Sequence, residues 1–151
     1  MPQCFISYAT CDRQLAEYVH HQLGLQEIDT FLAAVSLQPG DCWSAAIRQN
    51  LAASKWVIFL ASRQACASPW VQQEIGMAVG GDKRLVSIVW EFPPSELPGW
   101  AAECQAIDLR RKTVHELHDE IGVIARSIKQ SQQEGLVIFG AVLLALWALS
   151  R

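Results

Sequence analysis

The run Trp56-Val57-Ile58-Phe59-Leu60 constrains this chain more than any other stretch. It carries no charge and no apolar–polar alternation, so neither side of it can face water. Such a run suits a central strand of a parallel sheet, covered on both faces. A parallel neighbour is reached by a crossover, usually a helix, and the remaining sequence supplies the parts. Cys4-Phe5-Ile6-Ser7-Tyr8 reads as a buried first strand, Ile28 to Ala33 as a second, Leu85 to Trp90 as a fourth and Gln105 to Leu109 as a weak fifth. Helical spacing recurs between them. Leu15, Val19 and Leu23 follow a cap at Asp12 and precede a stop at Gly24, and Trp43, Ile47 and Leu51 follow a cap at Asp41. Val71, Ile75, Ala78 and Val79 lie between Ser68-Pro69 and Gly80-Gly81, and Val114, Leu117, Ile121, Ile124 and Ile128 mark a last amphipathic helix. Arg63–Ala67 reads as a linker. This alternation predicts an α/β, doubly wound (flavodoxin-like) five-stranded parallel sheet with helices on both faces. Ligands of such sheets bind beyond the carboxyl ends of the strands. Ser7-Tyr8, the loop 35–41 and the start of the Ser68 helix would gather there.

Several function classes drop out. The formal charge is −3 and no long basic run appears, which argues against nucleic acid. No phosphate loop and no G-x-G-x-x-G follows the first strand, so neither a P-loop enzyme nor a Rossmann dehydrogenase is supported. A phosphate receiver needs an acidic cluster after the first strand and an aspartate ending the third; those places hold Tyr8-Ala9 and Ala61-Ser62. Cys4, Cys11, Cys42, Cys66 and Cys104 are scattered without a C-x-x-C pair, which reads as free thiols in a reducing compartment. Cys4 is expected to be a small buried hydrophobe. His115 and His118 share a helix face without a third ligand, so no metal site is expected. No basic segment followed by an apolar run opens the chain, so no signal peptide is expected.

Taken in order, the pieces resemble a Toll/interleukin-1 receptor (TIR) domain, in its bacterial, NAD-cleaving branch, over about residues 3–130. Phe5-Ile6-Ser7-Tyr8 is similar to the family's opening strand, and Leu37-Gln38-Pro39-Gly40-Asp41-Cys42-Trp43 resembles its BB loop running into the second helix. Ile47 to Ser62 resembles its block of helix, small residue, strand and serine. Ser68-Pro69-Trp70-Val71-Gln72-Gln73-Glu74-Ile75 resembles the segment that carries the catalytic glutamate of active members. The resemblance implies NAD+ as substrate with no cofactor, Glu74 as the catalytic carboxylate, and Phe5, Ser7, Tyr8 and Trp70 beside the substrate. It implies self-association with other TIR domains through Leu37, Pro39, Gly40, Asp41 and Trp43. The bacterial branch includes antiviral defence and signalling effectors. Other members are interaction modules without activity; in that reading Glu74 is a boundary residue, Trp70 a helix anchor, Ser7 a satisfied strand-end serine and Trp43 core packing. Where some NAD-cleaving relatives carry basic residues after the first strand, this chain has Ala9-Thr10-Cys11, so phosphate contacts come from elsewhere or are weaker.

The end of the chain is different in kind. From Gly135 to Ser150 there is no charge and no proline, and the stretch is apolar on all sides. As a helix it covers about 24 Å, slightly under the roughly 30 Å of a bilayer core. Trp147 suits an interface, Arg151 reaches headgroups, and Gly140, Ala141 and Ala145 offer a small-residue face for helix pairing. The expected organisation is a TIR-like domain at 1–130, a polar linker at 131–134 and an apolar helix at 135–151. The helix reads as a membrane anchor that holds a cytoplasmic domain on the inner membrane. The alternatives are a core helix or an oligomerisation tail of a cytoplasmic protein.

Overall fold

The computed structural model describes residues 2–34, 45–69, 71, 76 and 80–149, without the side chain of Trp100. Five strands form one sheet: β1 (Cys4–Tyr8), β2 (Thr30–Ala34), β3 (Trp56–Leu60), β4 (Arg84–Val89) and β5 (Gln105–Asp108). Their order is β2-β1-β3-β4-β5, and every neighbouring pair is parallel. The doubly wound parallel sheet expected from the sequence is therefore present. All five residues of β3 are buried, as their composition demands.

Each face of the sheet has its own core. Cys4, Ile6, Ile58 and Ile88 point to one face. There α1 (Arg13–Leu25) lays down Ala16, Val19 and Leu23, and the helix α5 (Val114–Leu149) lays down Ile121, Ile124, Ala125 and Ile128. Phe5, Val57, Phe59, Leu85 and Val89 point to the other face. There the cover comes from Leu51 of α2 (Ala45–Ala53), Ala65 of α3 (Arg63–Cys66), Ala101 of α4 (Gly99–Ala102), Val71, Phe92 and Leu97.

Several local expectations are corrected. Gly24 does not stop α1; the helix runs to Leu25. It closes when Ile28 N–H donates to Leu23 O and Glu27 N–H to Gly24 O, with Glu27 at φ 61°. That is the paired bond pattern of a left-handed helix end, and buried Leu23 and Ile28 supply its apolar contact. Asp12 stands at the start of α1, but its side chain caps nothing, because a 3-10 turn at Thr10–Asp12 precedes the helix. Arg63–Cys66 is a short helix and not a plain linker, capped by Ser62, whose Oγ accepts from Ala65 N–H at 3.1 Å. Val114 is 73% exposed, since it lies in the first turn of α5, ahead of the part that meets the sheet. Asp41 and Trp43 lie outside the described residues.

The largest departure concerns the end of the chain. The polar run at 131–134 is not a break: α5 continues through it as one helix of 36 residues. Its start is a capping box, in which Glu116 Oε2 accepts from Thr113 N–H at 2.6 Å and Thr113 Oγ1 accepts from Glu116 N–H at 3.3 Å. Its second half, from Leu136 on, carries Val137, Ile138, Phe139, Leu143, Leu146 and Trp147 exposed around the helix.

Candidate active site

The chain leaves β1 for β2 on one side and later crosses to β3 on the other. The sheet therefore has its topological switch between β1 and β3, where ligands of such folds bind at the carboxyl ends. The residues that follow these two strands are small and buried: Ala9 after β1, and Ala61 and Ser62 after β3.

One register row crosses the sheet just below that edge. Ser7 of β1 pairs with Ala33 of β2 and Phe59 of β3, and Phe59 pairs with Ser87 of β4. In a parallel ladder such partners share a face. Ser7 and Ser87 are both fully buried, and neither hydroxyl finds a hydrogen-bond partner among the described residues. A buried hydroxyl without a partner is costly. The site face thus carries unspent polar capacity, flanking Phe59.

The rim is acidic. Asp12 Oδ2 is buried without a partner among the described residues, since that side chain does not cap its helix. Glu91, two residues beyond β4, accepts from Arg63 N–H at 2.7 Å through Oε2. Arg63 is held in turn: its guanidinium lies 5.4 Å from the Phe92 ring centre and 3.9 Å from Glu96. Arg13 is held by Glu17 at 2.8 Å. The Cys66 thiol here is a poor nucleophile, as is that of Cys4 at the opposite, amino edge of the sheet. Burial, then the Glu91 charge, pushes Cys66 up to about 11, and burial pushes Cys4 up to about 12. No cluster of His, Cys, Asp and Glu able to hold a metal occurs among the described residues.

The sequence-derived candidates distribute as follows. Phe5 and Ser7 lie on the site face, with Phe5 stacked on Phe31 at 5.7 Å. Tyr8 borders the edge by its backbone, but its ring packs on the opposite face with the α1 and α5 core. Trp70 and Glu74 lie outside the described residues, as do Leu37, Pro39, Gly40, Asp41 and Trp43. Val71, next to Trp70, is fully buried in the site-face core with Phe5, Ala9, Ala33 and Ala61. Sequence reasoning passed over Ser87 and Glu91. Ser87 carried the same signal as Ser7, a lone hydroxyl inside an apolar strand. Glu91 carried none, because its partner Arg63 sits 28 residues away.

The TIR domain family model matches residues 4–121. No curated protein matches the chain. Among solved structures, the TIR domain of the Toll-related receptor TRR-2 from Hydra magnipapillata superposes with a TM-score of 0.66 at 18% identity, over 85% of this chain and 99% of that one. The TIR domains of the activated Roq1 resistosome, which directly recognises the pathogen effector XopQ, give 0.65 at 14% identity over 80% and 97%. A metazoan TIR-STING receptor from C. gigas gives 0.62 at 22% identity, over 85% of this chain but 40% of the receptor. At such identities the likeness is one of fold.

Proposed function

The chain belongs to the TIR domain family, and on that premise we propose that it cleaves NAD+ at the nicotinamide–ribose bond, as a bacterial antiviral defence or signalling effector activated by self-association. The observation that carries this reading is the burial of Val71 in the site-face core to which Phe5 and Ala33 also belong. Glu74 is three residues further on, so its Cα lies within about 11 Å of that anchor whatever the conformation between them. In this reading the Glu74 carboxylate works on the same face of the sheet as the partnerless hydroxyl of Ser7.

The chemistry suits these groups. Departure of neutral nicotinamide leaves an oxocarbenium-like ribose, and a fixed carboxylate stabilises that charge and binds the ribose hydroxyls. Attack at the same carbon by water gives ADP-ribose, and attack by another nucleophile gives a cyclised or conjugated product. The apolar half of α5, exposed all round, anchors the domain to the inner membrane and concentrates it there.

One observation favours the second reading, an interaction module without activity. The rim presents Asp12 and Glu91, while Arg63 and Arg13 are held by carboxylates, an arrangement unfavourable to a pyrophosphate. In the enzymatic reading a neighbouring TIR domain, meeting the Leu37–Trp43 loop, completes the site. Nicotinamide release by full-length protein in lipid vesicles, followed over a series of surface densities, tests the pair. Specific activity that rises with density supports the enzyme activated by association. Release that is independent of density removes self-association, and absence of release at every density leaves the interaction module.

A further inference from the structure

The path of α5 fixes how the domain stands on a membrane. The helix begins just beyond Asp108, the last residue of β5, which pairs with Val89, the last of β4, so it starts at the carboxyl edge of the sheet. It then runs down one face through Ile121, Ile124, Ala125 and Ile128. At Ser131 it reaches Trp56, whose indole N–H donates to Ser131 Oγ at 3.2 Å. Trp56 is the first residue of β3 and pairs with Cys4 and Arg84, the first residues of β1 and β4. Ser131 therefore lies at the amino edge, and the exposed apolar half projects beyond that edge.

The exit is braced. The Arg84 guanidinium lies 5.3 Å from the Trp56 ring centre, on the indole that holds Ser131. Trp56 N–H donates to Gln3 O, Arg84 N–H to Lys55 O at 2.9 Å, and Gln3 N–H to Asp29 O at 2.9 Å, which ties the strand starts together. No helix break separates Ser131 from Leu136. The segment that reads as a polar linker in the sequence is helical.

We infer that the amino edge of the sheet, around Gln3, Lys55, Trp56 and Ser131, is the surface that faces the lipid headgroups, and that α5 is a rod holding the carboxyl edge away from the bilayer. This rests on the membrane-anchor reading. Four strand steps separate Trp56 from the carboxyl edge, about 13 Å, and four helical residues separate Ser131 from the apolar segment, about 6 Å. The carboxyl edge therefore stands roughly 20 Å above the membrane surface, on the side of a water-soluble substrate. Neighbouring copies share this polarity, so they meet side by side, and an antiparallel contact is closed to them.

The test uses full-length protein in vesicles that contain lipids with a nitroxide on the headgroup, which quenches at short range. In a background with Cys42, Cys66 and Cys104 changed to serine, a fluorophore is placed on exposed Cys11 at the carboxyl edge. In a second protein it is placed at Lys55→Cys, with Cys11→Ser. A flexible version of each replaces Ser131–Glu134 by Gly and Ser. Quenching several-fold stronger at position 55 than at position 11, with the difference lost in the flexible version, is the expected result. Vesicle-bound protein with equal quenching at both positions, or with a difference that survives the flexible replacement, overturns the rod. Protein that fails to float with the vesicles overturns the anchor reading, and the rod with it.

Discussion

The two faces of the sheet are built to different ends. On the face under α1 and α5, large branched side chains predominate: Ile6, Ile58 and Ile88 meet Val19, Leu23, Ile121 and Ile128, with Cys4, Ala16 and Ala125 among them. On the other face, alanines at 9, 33, 61 and 65 alternate with Phe5 and Phe59, and two buried serines lack partners among the described residues. Large branched side chains fill volume and maximise burial. Small residues and unspent hydroxyls give up part of that stabilisation and leave hydrogen-bonding capacity near the strand ends. Both faces bury a hydrophobic core, and the one with the partnerless serines carries the proposed site.

That division breaks first if the sealed face proves tolerant. Ile128→Ala is expected to cost about 2–5 kcal/mol, since it empties a fully enclosed site between α5 and the sheet. Chemical denaturation of full-length protein measures it, and a cost well under 1 kcal/mol would mean that α5 is not part of the core. Thr113→Ala is expected to cost about 0.5–2 kcal/mol, because it removes the hydroxyl of the capping box that starts the same helix. Ser7→Ala sharpens the contrast. Deleting a partnerless buried hydroxyl should leave stability unchanged or raise it by roughly 1 kcal/mol, while raising KM for NAD+. A variant that is less stable by several kcal/mol would show that the serine is structural.

The smallest effect lies at the carboxyl edge of β5. Hydrogen bonds from Arg110 hold the Asp108 carboxyl down at about 2. A depressed carboxylate contributes stability above its unfolded value near 3.8, and that contribution is lost as pH falls through the folded value. Asp108→Asn should flatten the unfolding midpoint over this acid range and leave it unchanged at neutral pH. The expected change is slight, because Asp108 and Arg110 are exposed and two residues apart, and their contact can persist in the unfolded chain.

Much of this architecture is legible in the sequence. The apolar runs of β1, β3 and β4 have only one sensible environment, and the stripes of α1 and α5 point their own way in. Errors come where local rules compete. Gly24 looks like a helix stop, yet Glu27 accepts the left-handed conformation while Leu23 and Ile28 close the end. The polar run at 131–134 looks like a linker, yet each of its residues favours or tolerates a helix, and Trp56, 75 residues away, reaches Ser131. Ser7 and Tyr8 both sit at the strand end, but adjacent strand residues face opposite ways, so only Ser7 turns toward the site. The acidic rim was not legible, because Asp12, Arg63 and Glu91 are brought together only by the fold.

The most direct test of the account is Glu74→Gln in full-length protein, with nicotinamide release and the unfolding midpoint measured on the same vesicle-bound samples. The substitution keeps volume and hydrogen-bonding capacity and removes the charge. The account predicts a rate lower by about a hundredfold or more with an unchanged midpoint. Equal release by the variant and the unsubstituted protein would contradict it.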